Sequence, residues 1–150
     1  MVTIPSTLRD VVLLLARLLL GVVVFAHGWQ KFMLNGLEAT TAGFERMGVP
    51  LPTVAAPFTA TIEVVTGIAI ILGALMPLAA ALVVFVMAGA ALIVHVPNGL
   101  FASDGGWELV GVIGAAAAIL GVVGAGRYSL DAALTSRRGA VREEELVATR

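Results

Sequence analysis

The chain has 150 residues, of which 59% are hydrophobic and only 13% are charged, and its mean hydropathy is +1.03. A soluble domain of this length could not bury so much apolar surface, so the composition predicts a membrane protein. A net charge of −1 argues against nucleic acid as a partner, and the absence of cysteine excludes disulfides, iron–sulfur clusters, thiolate metal sites and covalently attached haem.

Four apolar segments follow one another along the chain, and each is long enough to cross a hydrocarbon core of about 30 Å as a helix. We predict an all-α protein, an integral membrane four-helix bundle within residues 1–126, with a polar C-terminal tail at residues 127–150. The sequence shows no internal repeat. The predicted transmembrane helices lie at about residues 11–32, 55–75, 78–96 and 107–126.

The arginines outside these segments are concentrated on the side of the two termini. Only Lys31 and Arg46 fall on the side of the longer loops. By the positive-inside rule, this distribution places both termini in the cytoplasm. We therefore expect a multi-pass protein of the bacterial plasma membrane, whose longer loops face the periplasm. The residues on the side of the termini are Arg9, Arg127, Arg137, Arg138, Arg142 and Arg150.

Two charged residues lie deep inside the predicted helices. Glu63 is near the middle of the second helix, and Arg17 is about four residues, roughly 6 Å, from the midpoint of the first. A charge near the bilayer centre costs about 2.5–3.5 kcal/mol on insertion scales, so such residues usually face the bundle interior and have a partner. Arg17 can pair with Glu63, extend to the cytoplasmic interface or take a functional role, and the sequence leaves these alternatives open.

Each predicted helix has a stripe that combines small residues with a polar one, as membrane helices do where they pack closely. We expect the four stripes to face the bundle interior. They contain Arg17, Gly21, Val24, Gly28 and Lys31; Thr59, Glu63, Gly67, Ile70 and Ala74; Ala81, Val84, Ala88, Ala91 and His95; and Glu108, Val112, Ala115 and Ile119.

Polar residues from all four helices converge toward the periplasmic end. We predict a polar pocket there, with Glu63, His27, His95 and Glu108 as candidate proton-transfer residues and no metal ligands assigned. Lys31 could instead extend to the interface, and Glu108 could simply stabilise a helix N-terminus. Candidate cofactor-binding residues are Gln30, Lys31, Arg17, Asn98 and Trp107.

Three stretches of the sequence resemble the DoxX-like family of small membrane proteins. They are "RLLLGVVVFAHGWQKF", "FERMGVPLPTVAAPFTATIEVVTGIAIILGAL", and a pair of Gly/Ala-rich helices with "NG" and "WE" between them. The resemblance covers roughly residues 17–131 and implies a four-helix membrane bundle. It also implies a link to quinone-dependent membrane oxidoreductases, although some distant relatives look like assembly factors.

Three functions remain open from the sequence. The first is a component of a quinone-linked oxidoreductase system, in which Lys31 and Gln30 bind the quinone oxygens. The second is a non-catalytic anchor or assembly partner of a larger complex or homo-oligomer. The third, a haem- or metal-binding subunit, needs His27 and His95 as ligands, but neither lies in a specific ligand motif.

Overall fold

The computed structural model describes residues 5–136, so part of the predicted tail at residues 127–150 lies outside the described residues. Every regular element in the described range is helical, which confirms the all-α fold class. The α-helices are α1 (Ser6–Trp29), α2 (Leu37–Arg46), α3 (Pro52–Leu72), α4 (Met76–Ala90) and α5 (Glu108–Val123). A π-helical turn extends α1 (Gln30–Leu34) and another extends α4 (Ala91–His95), followed by 3-10 turns at Val96–Asn98 and Ala102–Asp104.

Three helical segments are long and apolar enough to cross a membrane. They are Ser6–Leu34 with 29 residues, Pro52–Leu72 with 21 and Met76–Asn98 with 23. The apolar helix α5 has 16 residues and is about 24 Å long at 1.5 Å per residue. This helix is shorter than the segment predicted at residues 107–126, because Gly124 ends it with a φ of +88°.

The bundle consists of two antiparallel helix pairs. Helix α1 packs mainly on α3, and α4 packs mainly on α5, while α3 and α4 join the pairs. We call the end with the start of α1 and the α3–α4 turn the terminal end, and the opposite end the loop end. Gly28 of α1 lies against Ala60 and Val64 of α3 near the loop end.

The two pairs share one feature at the loop end. In each pair the first helix finishes in a π-helical turn, and Asn-Gly-Leu follows. Helix α2 then precedes the returning helix α3 in the first pair, whereas a 3-10 turn precedes α5 in the second. The glycines of these tripeptides, Gly36 and Gly99, have φ values of +78° and +85°. Both pairs therefore turn at the loop end through a glycine in the left-handed region.

The predicted inward faces are correct for α1 and α3. Arg17, Gly21, Val24 and Gly28 are buried on α1. The corresponding buried residues of α3 are Glu63, Gly67 and Ile70.

The predicted inward faces of α4 and α5 are wrong. Ala81 and Ala88 of α4, and Val112, Ala115 and Ile119 of α5, are exposed on the bundle surface. The residues that face the core are Met76, Ala79, Ala80, Val83, Val86 and Met87 on α4, and Ile113, Ala117 and Leu120 on α5.

Candidate functional site

Lys31 and Glu63 form an ion pair between α1 and α3 near the loop end. The ammonium Nζ of Lys31 lies 2.5 Å from Oε2 of Glu63, and the two side chains are 19% and 6% exposed. Residues 5–136 contain one salt bridge, and it is this pair. A carboxylate this deeply buried requires a compensating charge, and Lys31 supplies it.

Close contact between the backbones of α1 and α3 brings the pair together. A Cβ added at Gly28 would lie 2.7 Å from the backbone nitrogen of Val64 and 2.8 Å from the carbonyl oxygen of Ala60. Any larger residue at this position would push the helices apart. The π-helical segment begins two residues later, at Gln30, and Lys31 is its second residue. Because Gly28 has no side chain, α1 and α3 come close enough for Lys31 to reach Glu63.

Helix α2 packs on α3 and on the π-helical segment that contains Lys31. Its buried residue, Thr40, donates its hydroxyl hydrogen toward the carbonyl oxygens of Lys31, at 3.1 Å, and Gly36, at 2.9 Å. The long loop between the first two predicted spans therefore contains a helix that the sequence analysis did not predict. Gly36, followed by Glu38 in the first turn of a helix, is a sequence signal that could have revealed it.

A second group of polar contacts lies in the loop between α4 and α5. Nδ1 of His95 lies 2.7 Å from the carbonyl oxygen of Gly105, and Asn98 Nδ2 donates to the carbonyl oxygen of Val94 at 3.1 Å. Oε1 of Glu108 accepts the backbone N–H of Ala102 at 2.7 Å. These contacts hold the loop in shape, so His95, Asn98 and Glu108 have local structural partners.

The other candidates at the loop end have different positions. His27 is half-buried on α1, and its backbone carbonyl oxygen lies 3.5 Å from Nζ of Lys31. Gln30 is exposed at the start of the π-helical segment. Trp107 is 42% exposed, and its indole ring lies against Gly111 one turn further along α5.

Arg17 lies at the terminal end, on the opposite side of the bundle from Glu63. Its side chain is buried, and Nη2 donates to the carbonyl oxygen of Tyr128 at 2.6 Å. Nε and Nη1 have no hydrogen-bond partner within the described residues, and Nη1 lies against Gly73, where α3 ends. The partial negative charge of that helix C-terminus favours a cation here. The Arg17–Glu63 ion pair left open by the sequence does not form in this structure.

The polar side chains are thus divided among three places. Lys31 and Glu63, together with Thr40, connect α1, α2 and α3, while His95, Asn98 and Glu108 belong to the α4–α5 loop. Arg17 lies apart from both groups, at the terminal end. No hydrogen bond or ion pair between described residues joins these two groups, so their combination in one pocket stays a prediction. Among residues 5–136, no three His, Asp or Glu side chains lie close enough together to hold a metal ion.

Long apolar helices with a buried ion pair between two of them define an integral membrane protein of the helical-bundle class. The DoxX family model matches residues 12–96 of this chain, which is more than half of its length. The chain belongs to the DoxX family. The match includes Lys31 and Glu63, and it ends directly after His95.

Two bacterial membrane proteins are similar over most of this chain. The uncharacterized membrane protein Rv3486 of Mycobacterium tuberculosis (strain ATCC 25618 / H37Rv) is 34% identical over 134 residues, which cover 81% of this chain and 80% of that protein. The inner membrane protein YphA of Escherichia coli (strain K12) is 31% identical over 129 residues, covering 82% of this chain and 90% of YphA. No solved structure gives a significant match.

Proposed function

We propose that this protein is a component of a quinone-linked oxidoreductase system in a bacterial plasma membrane. The observation that carries the proposal is the Lys31–Glu63 ion pair, an ammonium and a carboxylate buried between apolar helices near the loop end. Membership of the DoxX family supports a membrane-embedded role. The positive-inside argument supports cytoplasmic termini, and with that orientation the pair belongs to the periplasmic half of the bundle.

Oxidation of a quinol to the quinone releases two electrons and two protons. The Glu63 carboxylate accepts one proton, and protonation frees the Lys31 ammonium to donate a hydrogen bond to a quinone oxygen. The imidazole of His27, half-buried four residues before Lys31, is our candidate acceptor for the second proton. The two electrons pass to a carrier on a partner protein, since the proposed role of this chain is limited to binding and proton transfer.

A non-catalytic role as an anchor or assembly partner is the second candidate. It is supported by the exposed face of α4 and α5, where small residues such as Ala88 and Ala115 alternate with larger apolar ones. Small residues let helices of different chains approach closely in a bilayer. In this role the Lys31–Glu63 pair would only stabilise the α1–α3 interface.

Binding of a short-chain benzoquinone to the protein in lipid nanodiscs separates the two roles. Trp29 is 44% exposed and lies two residues before Lys31, so its fluorescence reports on quinone near the pair. A Trp107→Phe background leaves Trp29 as the only tryptophan. In this background we expect saturable quenching, which is lost when Lys31→Met and Glu63→Gln are combined.

The matched control is Glu45→Gln, which removes a carboxylate from the exposed surface of α2. This control should retain saturable quenching. If quenching rises linearly with quinone in every variant, quinone only partitions into lipid. That outcome would favour the anchor or assembly role.

A further inference from the structure

The chain after α5 turns back onto the terminal end of the bundle, and residues 130–136 are helical. Asp131 fixes this helix at the α3–α4 turn. Its carboxylate accepts the backbone N–H groups of Leu75 at 2.9 Å and Met76 at 3.2 Å. Its own N–H donates to the carbonyl oxygen of Gly73 at 3.1 Å. These three contacts determine which side of the helix faces the bundle.

Two further contacts hold the residues just before this helix. The buried guanidinium of Arg17 donates to the carbonyl oxygen of Tyr128, three residues before Asp131. The peptide N–H of Arg127 lies 3.3 Å from Oδ1 of Asp10 on α1. The segment is therefore attached to α1 as well as to the α3–α4 turn.

Three large apolar or aromatic side chains of this segment are exposed on the surface of the bundle. Tyr128, Leu130 and Leu134 are 48%, 44% and 47% exposed. Leu130 and Leu134 are four residues apart, so they lie on the same side of the helix. Because Asp131 is held at α4, the helix cannot rotate to bury these side chains in the bundle.

The depth of this apolar side is set by the spanning helices. Asp131 is hydrogen-bonded to Gly73 and Leu75, the residues at which α3 ends and α4 begins. We therefore expect the segment to lie at the level where membrane helices leave the acyl chains and meet the lipid headgroups. Tyrosine is enriched at this level, which fits the exposed Tyr128.

Arginines precede and follow this segment in the sequence. Arg127 is exposed directly before Tyr128, and Arg137 and Arg138 come next in the sequence after the described residues. Helices with apolar residues on one side and arginines around them bind at the surface of membranes that contain anionic lipids.

We propose that residues 128–134 form a lipid-binding face at the terminal end, which lies between acyl chains and headgroups and preferentially contacts anionic lipids. The proposal does not depend on a quinone-linked function. It assigns a role to the segment that Arg17 and Asp131 hold in place. A second copy of the chain is the competing occupant that the experiment has to exclude.

The absence of cysteine makes site-specific labelling of the full chain direct. We would compare Leu134→Cys with its neighbour Thr135→Cys, both at exposed positions, each labelled with an environment-sensitive fluorophore. The variants are reconstituted in phosphatidylcholine vesicles with or without phosphatidylglycerol. Quenching by lipids with brominated acyl chains is then compared with quenching by aqueous iodide, after circular dichroism has shown equal helicity.

We expect the label at residue 134 to be quenched severalfold more by brominated lipid than by iodide, and the label at residue 135 to show the reverse. We also expect the lipid quenching at residue 134 to fall when phosphatidylglycerol is omitted. Stronger iodide quenching at residue 134 would overturn the proposal, because the helix would then stand away from the lipid. Weak quenching by both agents would overturn it in favour of a covering protein, and equal results in both vesicles would overturn the preference for anionic lipids.

Discussion

Nζ of Lys31 and Oε2 of Glu63 meet at 2.5 Å across the α1–α3 interface, close to where Gly28 contacts the backbone of α3. Each charge makes the burial of the other tolerable. Removing one partner leaves the remaining charge without compensation, whereas removing both leaves a neutral contact. This difference makes the pair testable by mutation.

We predict that Glu63→Gln lowers the free energy of unfolding by about 3 kcal/mol, because Lys31 keeps a buried positive charge. The double variant Lys31→Met with Glu63→Gln should lose less than Glu63→Gln alone. Unfolding by SDS in mixed micelles, followed by circular dichroism, gives the free energies of the wild type, the two single variants Lys31→Met and Glu63→Gln, and the double variant. If the double variant loses the sum of both single effects, the two side chains do not interact.

The α1–α3 interface should be sensitive to any added side chain at Gly28. We expect Gly28→Ala to cost about 1–3 kcal/mol, because its Cβ would lie 2.7 Å from the Val64 backbone nitrogen. The control is Gly89→Ala on α4, where an added Cβ meets nothing within 4 Å. This control should be neutral or stabilise the helix by up to about 1 kcal/mol. Equal losses in both variants, measured in mixed micelles, would refute close packing at Gly28.

Thr40 should attach α2 to the π-helical segment that contains Lys31. Thr40→Val keeps the shape of the side chain but removes the hydroxyl donor to the Lys31 and Gly36 carbonyl oxygens. We expect amide hydrogen exchange in α2 to rise about fivefold, the equivalent of a net hydrogen bond of about 1 kcal/mol. Thr61→Val is the control, since its exposed hydroxyl bonds only within α3, to Pro57. Unchanged exchange in α2 would show that Thr40 is not its attachment.

The sequence allows prediction of the α1 and α3 faces for a physical reason. Arg17 and Glu63 are costly in lipid, so each identifies the inward side of its helix, and Gly21, Gly28 and Gly67 follow on the same side. Helices α4 and α5 contain Ala, Val, Leu and Gly on all sides, so no contrast distinguishes the face toward lipid from the face toward the core. For this reason the sequence predicts that Ala88 and Ala115 face the core, whereas both are exposed on the bundle surface.

The pairings in the candidate site could not be predicted for a different reason. Spacing along one helix does not determine the register between two helices, and here Gly28 and its contacts with Ala60 and Val64 set it. That register places Lys31 beside Glu63 and places Arg17 near Gly73, at the other end. The partners of Arg17 and of the α4 N-terminus are Tyr128 and Asp131. Both come from the tail, whose sequence predicted only a polar segment.

Arg17 should hold the segment after α5 against the bundle. Arg17→Gln removes the charge-assisted hydrogen bond to the Tyr128 carbonyl, a contact of about 1.5–3 kcal/mol. We expect trypsin to cleave after Arg127 severalfold faster, measured by mass spectrometry of the peptide that begins at Tyr128. Arg9→Gln, at an exposed position of α1, is the matched control. Cleavage at the wild-type rate in Arg17→Gln would contradict this role.

The most direct test of a quinone-linked function is a reduced-minus-oxidised absorbance spectrum of the protein in nanodiscs of native lipid. Wild-type protein is compared with the combined Lys31→Met and Glu63→Gln variant and with discs that contain lipid alone. We predict that the wild type bleaches a quinone absorbance in excess of the lipid discs, and that the variant loses this excess. An equal quinone absorbance in all three samples would contradict the account and leave the Lys31–Glu63 pair with a structural role only.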